Sequence, residues 1–427
     1  MKILRVDEIH WPALREDKRV AFVRVDFNVP IKNGIVLDDF RIKQALPTIN
    51  YLLEQKCIVV LASHLGRPKG NDEESRKKFT MLPVAEKLAE IMDHEVLLSN
   101  DVSGDGVRKL ITDGRGGKTI ILLENLRFDP REEANDPEYA ESLFKYCHLY
   151  VNDAFGASHR AHASIEAITH FTKVKAAGYL LSKEWEVLNQ VLHHPIAPQM
   201  AILGGAKIAD KIQVIKNLML RSKKLFIGGR MAQTFLAAQG YSLGSSSIEE
   251  ESLPLARRIL TEARTQEVEI FFPVDGRAGK DIDAKECKVV SIEKDKPLSK
   301  DVSLFDIGPK TVEIWKKELR KAKSIVWNGP MGVFENPTYA DGTLSIVDFL
   351  LEVKDSIPAI AGGGETVSAI TQRNALTSLY HVSTGGGAML EFLEGKALPG
   401  FEALKVRDRD IQAAIDSTIV IPEEEVG

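Results

Sequence analysis

Two lysines four positions apart, Lys207 and Lys211, follow a predicted apolar strand and a Gly204-Gly205 turn. The apolar spacing of residues 206–220 predicts a helix directly after this turn, with both ammonium groups on one face of its first turns. A helix N-terminus carries unpaired N–H donors and partial positive charge, so it favours acidic side chains over lysines. Two lysines there indicate a bound polyanion such as a phosphate group, and the alternative is a pair of solvated surface lysines.

Basic side chains also recur after the predicted strands in the first half of the chain. Guanidinium groups bind phosphate and carboxylate through paired hydrogen bonds, so a cluster of them favours a small ligand with several negative charges. Any one such residue alone is also typical of a solvated loop. His159 and His162 are a weak metal signal, and loop hydrogen bonding is the favoured interpretation. The basic residues of this predicted edge are Arg24, Arg41, His64, Arg67, Arg127 and Arg160, beside the polar Asp26 and Asn28.

Glycines take the place of arginines after the predicted strands of the second half. Glycine permits positive φ and a close approach of backbone to ligand, and successive N–H groups form anion-binding nests. Any single pair is equally consistent with a simple tight turn, but five beside two lysines favour a phosphate-bearing ligand. These turns are Gly228-Gly229, Gly308-Pro309, Gly329-Pro330, Gly362-Gly363-Gly364 and Gly385-Gly386-Gly387.

A carboxylate, Glu365, follows the glycine turn at 362–364 where a helix is predicted to begin. Beside phosphates it would repel them unless a cation lies between, and Mg²⁺ typically takes one or two carboxylates plus phosphate oxygens. Helix capping is the equal alternative for this residue. Glu335 is a candidate acceptor for ribose hydroxyls, with a plain surface glutamate as the alternative.

The elements that must position these residues alternate along the chain. Strand-like runs alternating with amphipathic helices predict parallel sheets covered by helices, which bind ligands at the carboxyl ends of their strands. A helical run at 183–194, followed by Pro195, is predicted to connect the two halves. Helices are predicted at 41–55 and 83–92, and strands at 20–26, 57–63, 119–124, 149–153, 200–203, 225–227, 269–272, 324–327, 358–361 and 380–383.

Bulk composition excludes several classes of protein. A chain of 427 residues predicts two or three domains. The net charge of -5 argues against nucleic-acid binding, and three scattered cysteines argue against a disulfide framework or zinc site. No apolar run approaches the roughly 18–20 residues that span a bilayer, so a cytoplasmic protein is expected. A nicotinamide dehydrogenase is disfavoured because no G-x-G-x-x-G fingerprint is present, whereas a non-catalytic phosphometabolite sensor stays open.

Several motifs together resemble those of the phosphoglycerate kinases. They occur in the family's order and cover nearly the whole chain to about residue 400. The resemblance implies two Rossmann-like lobes joined by a hinge helix: a 3-phosphoglycerate lobe at 1–180, the hinge at 181–195 and a nucleotide lobe at 196–396, with a tail at 397–427 that packs back on the first lobe. The motifs include RVDFNVP (24–30), SHLGRPKG (63–70), ENLRF (124–128), GGAKIADKI (204–212), WNGPMGVFE (327–335) and STGGGAMLEFLEGKALPG (383–400).

The resemblance also implies a reaction and a site. The reaction is reversible, Mg²⁺-dependent phosphoryl transfer between 1,3-bisphosphoglycerate and ADP, giving 3-phosphoglycerate and ATP, by a cytoplasmic monomer in glycolysis and gluconeogenesis. Glu365 would bind Mg²⁺ with the nucleotide phosphates. The implied substrate-binding residues are Asp26, Asn28, Arg41, His64, Arg67, Arg127 and Arg160. The implied nucleotide-binding residues are Lys207, Lys211, Gly329, Glu335, Gly362, Gly363, Gly364, Glu365 and Thr366, and the catalytic groups are Arg41, Lys207, Gly386 and Gly387.

The chain departs from the family's pattern at three places. Many members have aspartate where Glu365 stands, and a glycine is common where Arg230 stands, which bears on the nucleotide-base pocket. The family usually ends soon after the position of Gly400, whereas this chain continues for residues 401–427. We assign that extension no function.

Overall fold

The computed structural model describes residues 2–11, 14, 16, 19–114 and 118–406. Within them the chain divides into two compact units. One comprises the described parts of Met1–Trp185 and Ala397–Gly427, and the other comprises Glu186–Lys396.

The first unit is a parallel sheet with helices between its strands. Its four central strands, at 20–25, 58–62, 120–122 and 149–153, are buried throughout, as expected when helices cover both faces of a parallel sheet. The strands are β1 (Val20–Val25), β2 (Ile31–Lys32), β3 (Ile35–Val36), β4 (Ile58–Ala62), β5 (Val96–Leu98), β6 (Ile120–Leu122), β7 (Leu149–Asp153) and β8 (Lys175–Ala177). The helices are α1 (Phe40–Glu54), α2 (Glu73–Phe79), α3 (Leu82–Met92), α4 (Asp105–Asp113), α5 (Pro137–Phe144) and α6 (Tyr179–His193).

The six main strands of this unit are all parallel and lie in the order β5-β6-β4-β1-β7-β8. The strands β2 and β3 form a separate antiparallel hairpin. In α1 the buried side chains Ile42, Ala45, Ile49 and Leu52 recur at helical spacing, and all four belong to the core of this unit. The sequence patterns did not predict β5 and β8, which are the two short edge strands.

The second unit repeats this architecture with its own sheet. Its strands are β9 (Gln199–Leu203), β10 (Ser222–Ile227), β11 (Glu269–Phe271), β12 (Asp275–Gly279), β13 (Lys288–Ser291), β14 (Ser303–Ile307), β15 (Ser324–Asn328), β16 (Ala359–Gly362) and β17 (His381–Val382). Its helices are α7 (Ile212–Met219), α8 (Gly229–Ala238), α9 (Leu253–Thr265), α10 (Pro309–Leu319), α11 (Asp341–Val353), α12 (Gly364–Thr371) and α13 (Gly386–Leu393). Six of these strands form a parallel sheet in the order β11-β10-β9-β15-β16-β17. The prediction of two α/β lobes, each built on a parallel sheet, is confirmed.

A three-stranded antiparallel sheet, in the order β13-β12-β14, was not predicted. It has a small core of its own, in which Ala278, Ile292 and Leu304 pack with Leu236 of α8 and Leu243. The edge strand β13 is largely exposed and β12 contains two glycines, so neither carries a clear strand signal.

The boundary between the two units, at Trp185/Glu186, falls inside α6. Residues 397–406 return to the first unit with the short helix α14 (Pro399–Glu402). There the ring of Phe401 lies 4.9 Å from that of Trp185, and Val406 pairs with Lys2. Residues 407–427 of the predicted tail lie outside the described residues. No helix in the described part of the chain is long and apolar enough to cross a membrane.

Candidate active site

The basic edge of the first unit begins with a buried carboxylate. Asp26 directly follows β1 and is only 5% exposed. Its Oδ2 accepts a hydrogen bond of 2.9 Å from Nη1 of Arg41, which also donates to the Asn28 carbonyl at 3.2 Å. Arg41 lies in the first turn of α1 and keeps 31% of its side chain exposed. Asp26 therefore fixes the direction of a guanidinium that is still open to a ligand.

The loop after β4 is held by side chains from two other strand ends. The Asn28 Oδ1 accepts the Gly66 N–H at 2.9 Å, and Arg127 Nη1 donates to the Gly66 carbonyl at 2.9 Å. Asn125 is fully buried: its Nδ2 donates to the Leu65 carbonyl at 2.8 Å, and its Oδ1 accepts from the Leu65 and Arg127 N–H groups, both at 3.1 Å. The structure thus brings Asp26, Asn28, Arg41 and Arg127 together around one loop.

Asn125 was not predicted as a site residue. The available signal was an amide directly after a predicted strand and two residues before Arg127. An isolated asparagine in such a place is also typical of an ordinary turn. Its Nδ2 also donates to the Phe79 carbonyl at 3.0 Å, and these four backbone contacts make Asn125 the residue that positions the 64–67 loop and Arg127 relative to each other.

The other predicted basic residues differ in exposure. Arg67 and Arg160 are exposed, whereas Arg127 is largely buried. Its Nε lies 3.0 Å from Oε1 of Glu133 and forms an ion pair with it, but the Nε–H does not point at the carboxylate and makes no hydrogen bond. Burial lowers the pKa of Arg127, partly opposed by Glu133. Arg160 Nε donates to Nε2 of His159 at 3.2 Å, which agrees with the loop hydrogen bonding favoured for His159. Among the described residues, no group of three or more His, Cys, Asp or Glu side chains could hold a metal ion.

The prediction that Arg24 belongs to the basic edge at the strand ends is wrong. It lies within β1, is 0% exposed, and donates from Nε to Ser164 Oγ at 2.8 Å. Its Nη2 lies 3.2 Å from Nδ1 of His64. The sequence could not show this, because the partners that bury Arg24 are distant along the chain.

The prediction that Lys207 and Lys211 share one helix face is also wrong. After β9 the chain forms a loop and a 3-10 turn (Ala209–Lys211), and α7 begins only at Ile212. The loop is fixed by the buried Ile208, whose N–H donates to Glu249 at 3.0 Å. Lys207 precedes the 3-10 turn and is exposed. The spacing of apolar residues predicts that a helix is present, but it does not fix the residue at which the first turn begins.

Lys211 is folded back onto the neighbouring strand ends. Its Nζ donates to the Gly204 carbonyl at 2.7 Å, to the Asn328 carbonyl at 3.3 Å and to the Asn328 Oδ1 at 2.6 Å. Burial lowers the pKa of Lys211 to about 8, while Glu365 and Asp210 act in the opposite direction. At Gly329, φ is +94° and an added Cβ would lie 2.6 Å from this ammonium group, so a residue with a side chain would displace it.

Two helix N-termini converge at the carboxyl edge of the second unit's parallel sheet. The helices α12 and α13 begin at Gly364 and Gly386, and a Cβ added to Gly386 would lie 3.4 Å from the Gly364 nitrogen. The N-cap Gly363 has φ +103°. Thr366 Oγ1 accepts the Gly329 N–H at 2.7 Å and ties α12 to the end of β15. The first-turn N–H groups of both helices lack intrahelical partners, so this edge is suited to an anion.

A cavity of about 830 Å³ opens beside these turns within the second unit. Glu335 and Glu365 line it, and both are exposed. Glu365 is an acidic residue in the first turn of α12, so a favourable interaction with the helix N-terminus stays the alternative to metal binding. Arg230 also lines the cavity and donates to the Ala206 carbonyl at 3.3 Å and to Ser247 Oγ at 3.4 Å. The remaining predicted nucleotide residues lie outside the cavity lining: Lys207, Lys211, Gly329, Gly362, Gly363, Gly364 and Thr366.

One unit thus presents an arginine-bearing sheet edge and the other a cavity beside glycine turns, both at the carboxyl ends of parallel strands, where open α/β sheets bind their ligands. The family model described as phosphoglycerate kinase matches residues 13–396. The chain belongs to the phosphoglycerate kinase family.

Individual relatives agree with this assignment. Phosphoglycerate kinase of Dictyoglomus turgidum is 47% identical over 388 residues, covering 91% of this chain and 96% of the relative. That of Anaeromyxobacter sp. is 44% identical over 389 residues, covering 91% and 96%. The solved structure of phosphoglycerate kinase from Coxiella burnetii has a TM-score of 0.82 and 36% identity, covering 94% of this chain and 99% of that one. The structure from Pyrococcus horikoshii has a TM-score of 0.80 and 32% identity, covering 96% and 100%.

Proposed function

We propose that the protein transfers a phosphoryl group reversibly between 1,3-bisphosphoglycerate and ADP, giving 3-phosphoglycerate and ATP. The observation that carries the proposal is one chain with two different anion-binding edges. The first unit offers guanidinium groups held by Asp26 and the Gly66 carbonyl. The second offers backbone amides at two converging helix starts beside a cavity large enough for a nucleotide.

In the first unit, we assign binding of 3-phosphoglycerate to the basic edge. Arg41 has its guanidinium set by Asp26, so it binds with little loss of side-chain freedom. Arg127 and the 64–67 loop are positioned by Asn125. Arg67 and Arg160 are exposed and would close on the ligand from solvent. The proposed substrate contacts are Asp26, Asn28, Arg41, His64, Arg67, Arg127 and Arg160.

In the second unit, we assign the nucleotide to the cavity and the glycine turns beside it. Glu335 would accept hydrogen bonds from the ribose, and the amides of 362–364 and Thr366 would bind phosphates. Lys207 is exposed and carries a mobile charge for the group in transfer, whereas Lys211 is anchored beside Gly329. The amides of Gly386 and Gly387 would stabilise the charge that develops on the transferred phosphoryl oxygens.

The proposed metal is Mg²⁺. The protein side chains fit this ion only when a bound nucleotide supplies further oxygen ligands. Glu365 is a single exposed carboxylate at the cavity, and no cluster of three ligating side chains exists in the described ranges. Mg²⁺ commonly binds through one or two carboxylates and substrate phosphates rather than in a protein cage. When bound, it would neutralise phosphate charge.

The proposed mechanism needs no general base. In the direction that consumes ATP the attacking group is the carboxylate of 3-phosphoglycerate, which is ionised near neutral pH. Burial and the nearby arginines lower the pKa of His162 to about 3, so it is a poor base at neutral pH. Catalysis then falls to positioning and to charge neutralisation, with Arg41 and Lys207 as the principal cations. We propose α6 as the hinge that allows the two bound ligands to meet.

We also propose that the protein works as a cytoplasmic monomer. Both substrates are small soluble metabolites, and each assigned site draws its residues from one unit of a single chain. Light scattering coupled to gel filtration should give the mass of one chain, with or without ligands, and a stable dimer would contradict this.

Acyl-phosphate formation tests the proposed reaction directly. The protein is incubated with ATP and 3-phosphoglycerate, with and without Mg²⁺, and the acyl phosphate is trapped as the hydroxamate. The proposal predicts hydroxamate only when all three components are present. Binding of 3-phosphoglycerate without any hydroxamate would instead indicate a non-catalytic sensor.

A further inference from the structure

His64 lies against a buried arginine to which the proposed reaction assigns no role. Nη2 of Arg24 is 3.2 Å from Nδ1 of His64, with Arg24 0% and His64 7% exposed. A guanidinium has donors only, so Nδ1 must accept this hydrogen bond. The neutral imidazole then carries its proton on Nε2. The contact therefore selects one tautomer of His64.

Arg24 is itself held by a buried chain of hydrogen bonds. Its Nε donates to Ser164 Oγ at 2.8 Å, and that hydroxyl donates to Glu132 Oε1 at 2.6 Å. Its Nη1 donates to the Val25 carbonyl. Glu132 and Ser164 are both 0% exposed. With its nitrogens engaged on two other sides, the guanidinium cannot turn away from His64 without breaking buried hydrogen bonds.

The charged groups that act most strongly on His64 are positive, while the carboxylates Asp26 and Glu132 are hydrogen-bonded to Arg41 and Ser164. The groups that act on it are Arg24, Arg127 and Arg41, with His162 in addition. Burial and these charges lower the pKa of His64 well below its ordinary value. The ring is therefore neutral at neutral pH, and a neutral ring can donate to an anion only from the nitrogen that keeps the proton.

We propose that Arg24 is a positioning residue that holds His64 as the neutral Nε2–H tautomer, ready to donate to an anionic oxygen of the substrate. Among the described residues Nε2 has no hydrogen-bond partner, and His64 follows β4 at the edge that also carries Asn28 and Arg127. The identity of the substrate, 3-phosphoglycerate, rests on the proposed function. The tautomer does not.

Nuclear magnetic resonance tests the tautomer without any substrate. The whole protein is labelled with ¹⁵N-histidine, and the His64 signals are assigned by their loss in His64→Gln. Long-range ¹H–¹⁵N correlations should show a protonated Nε2 and an unprotonated Nδ1, unchanged from pH 8 to pH 5.5. A proton on Nδ1, or charging of the ring near pH 6.5, would overturn the proposal. The result is independent of whether the protein turns over 3-phosphoglycerate.

Two variants separate positioning from plain structural support. Arg24→Lys keeps the charge but loses the Nη2 contact, whereas Ser164→Ala weakens the same buried chain without removing that contact. At pH 8, Arg24→Lys should raise the KM for 3-phosphoglycerate about tenfold, the range expected for one lost hydrogen bond to a charged group, with little change in kcat.

The His64 spectra of the two variants give the decisive comparison. In Arg24→Lys the ring stays neutral, because burial, Arg127 and Arg41 still lower its pKa, but Nδ1 no longer accepts a fixed hydrogen bond. The long-range correlations should therefore show the two neutral tautomers mixed, with part of the proton on Nδ1. Ser164→Ala should keep the Nε2–H tautomer of the wild type. A wild-type tautomer in both variants would show that Arg24 only supports the fold, and if Arg24→Lys does not fold, the wild-type spectrum decides.

Discussion

The buried ammonium group of Lys211 predicts a specific dependence of stability on pH. Burial lowers its pKa from 10.5 to about 8. Between these values the unfolded chain binds more protons than the folded one, so the stability contributed by this residue rises as the pH rises. The shift of about 2.5 units corresponds to about 3 kcal/mol over that interval. Replacing Lys211 with methionine, which has similar length and no charge, should abolish this gain.

The test compares unfolding free energies in guanidinium chloride, followed by tryptophan fluorescence. The difference between wild type and Lys211→Met should move in favour of the wild type by about 3 kcal/mol from pH 7.5 to pH 10.5. Lys207→Met is the matched control, because Lys207 is exposed and should show a flat difference within about 0.5 kcal/mol. A flat profile for Lys211→Met, or an equal slope for Lys207→Met, would refute the burial that the structure gives to Lys211.

Three further predictions concern Asp153, Glu365 and Asn125. Burial raises the pKa of Asp153 to about 7, so the stability of the wild type should fall by up to about 4 kcal/mol as the pH rises from about 4 to 7. Thermal melts of Asp153→Asn at pH 5 and pH 8 should lack this fall, and an unchanged fall would contradict the burial of Asp153. Glu365→Gln should leave stability within about 0.5 kcal/mol yet raise the Mg²⁺ concentration for half-maximal activity severalfold; an unchanged Mg²⁺ titration argues against the metal assignment. Asn125→Ala should cost about 2–4 kcal/mol of stability and raise the KM for 3-phosphoglycerate but not the KM for ATP. An equal rise in both KM values would contradict a local role of Asn125 in the first unit.

The parallel sheets were predictable because their strands are short apolar runs buried on both faces. In a parallel sheet the carboxyl ends of the strands share an edge, so Asp26, Asn28 and Arg127 could be grouped before any contact was known. The same logic placed the glycine turns at 228–229, 329–330, 362–364 and 385–387 at one edge, but it was wrong for Gly308, which follows β14 of the antiparallel sheet. Local pattern and sheet geometry were enough for the edges of the two parallel sheets.

The rest depended on contacts between residues far apart in sequence. Arg24 is buried because Ser164, 140 residues away, accepts its hydrogen bond. Lys207 lies in a loop rather than a helix, in part because the backbone N–H of the next residue, Ile208, donates to Glu249, which is 41 residues further along the chain. In the antiparallel sheet β12 pairs directly with β14, which begins more than 20 residues later in the chain, and the exposed edge strand β13 between them in sequence has little apolar pattern. No window of local sequence contains these partners.

The central claim is that the two anionic ligands bind on separate units through separate cations. Isothermal titration of Arg41→Ala with 3-phosphoglycerate, and in the same preparation with MgADP, tests it most directly. The account predicts that affinity for 3-phosphoglycerate falls at least about tenfold, as for a lost charged hydrogen bond, while affinity for MgADP stays within about twofold of wild type. An equal loss for both ligands, or none for 3-phosphoglycerate, would contradict it.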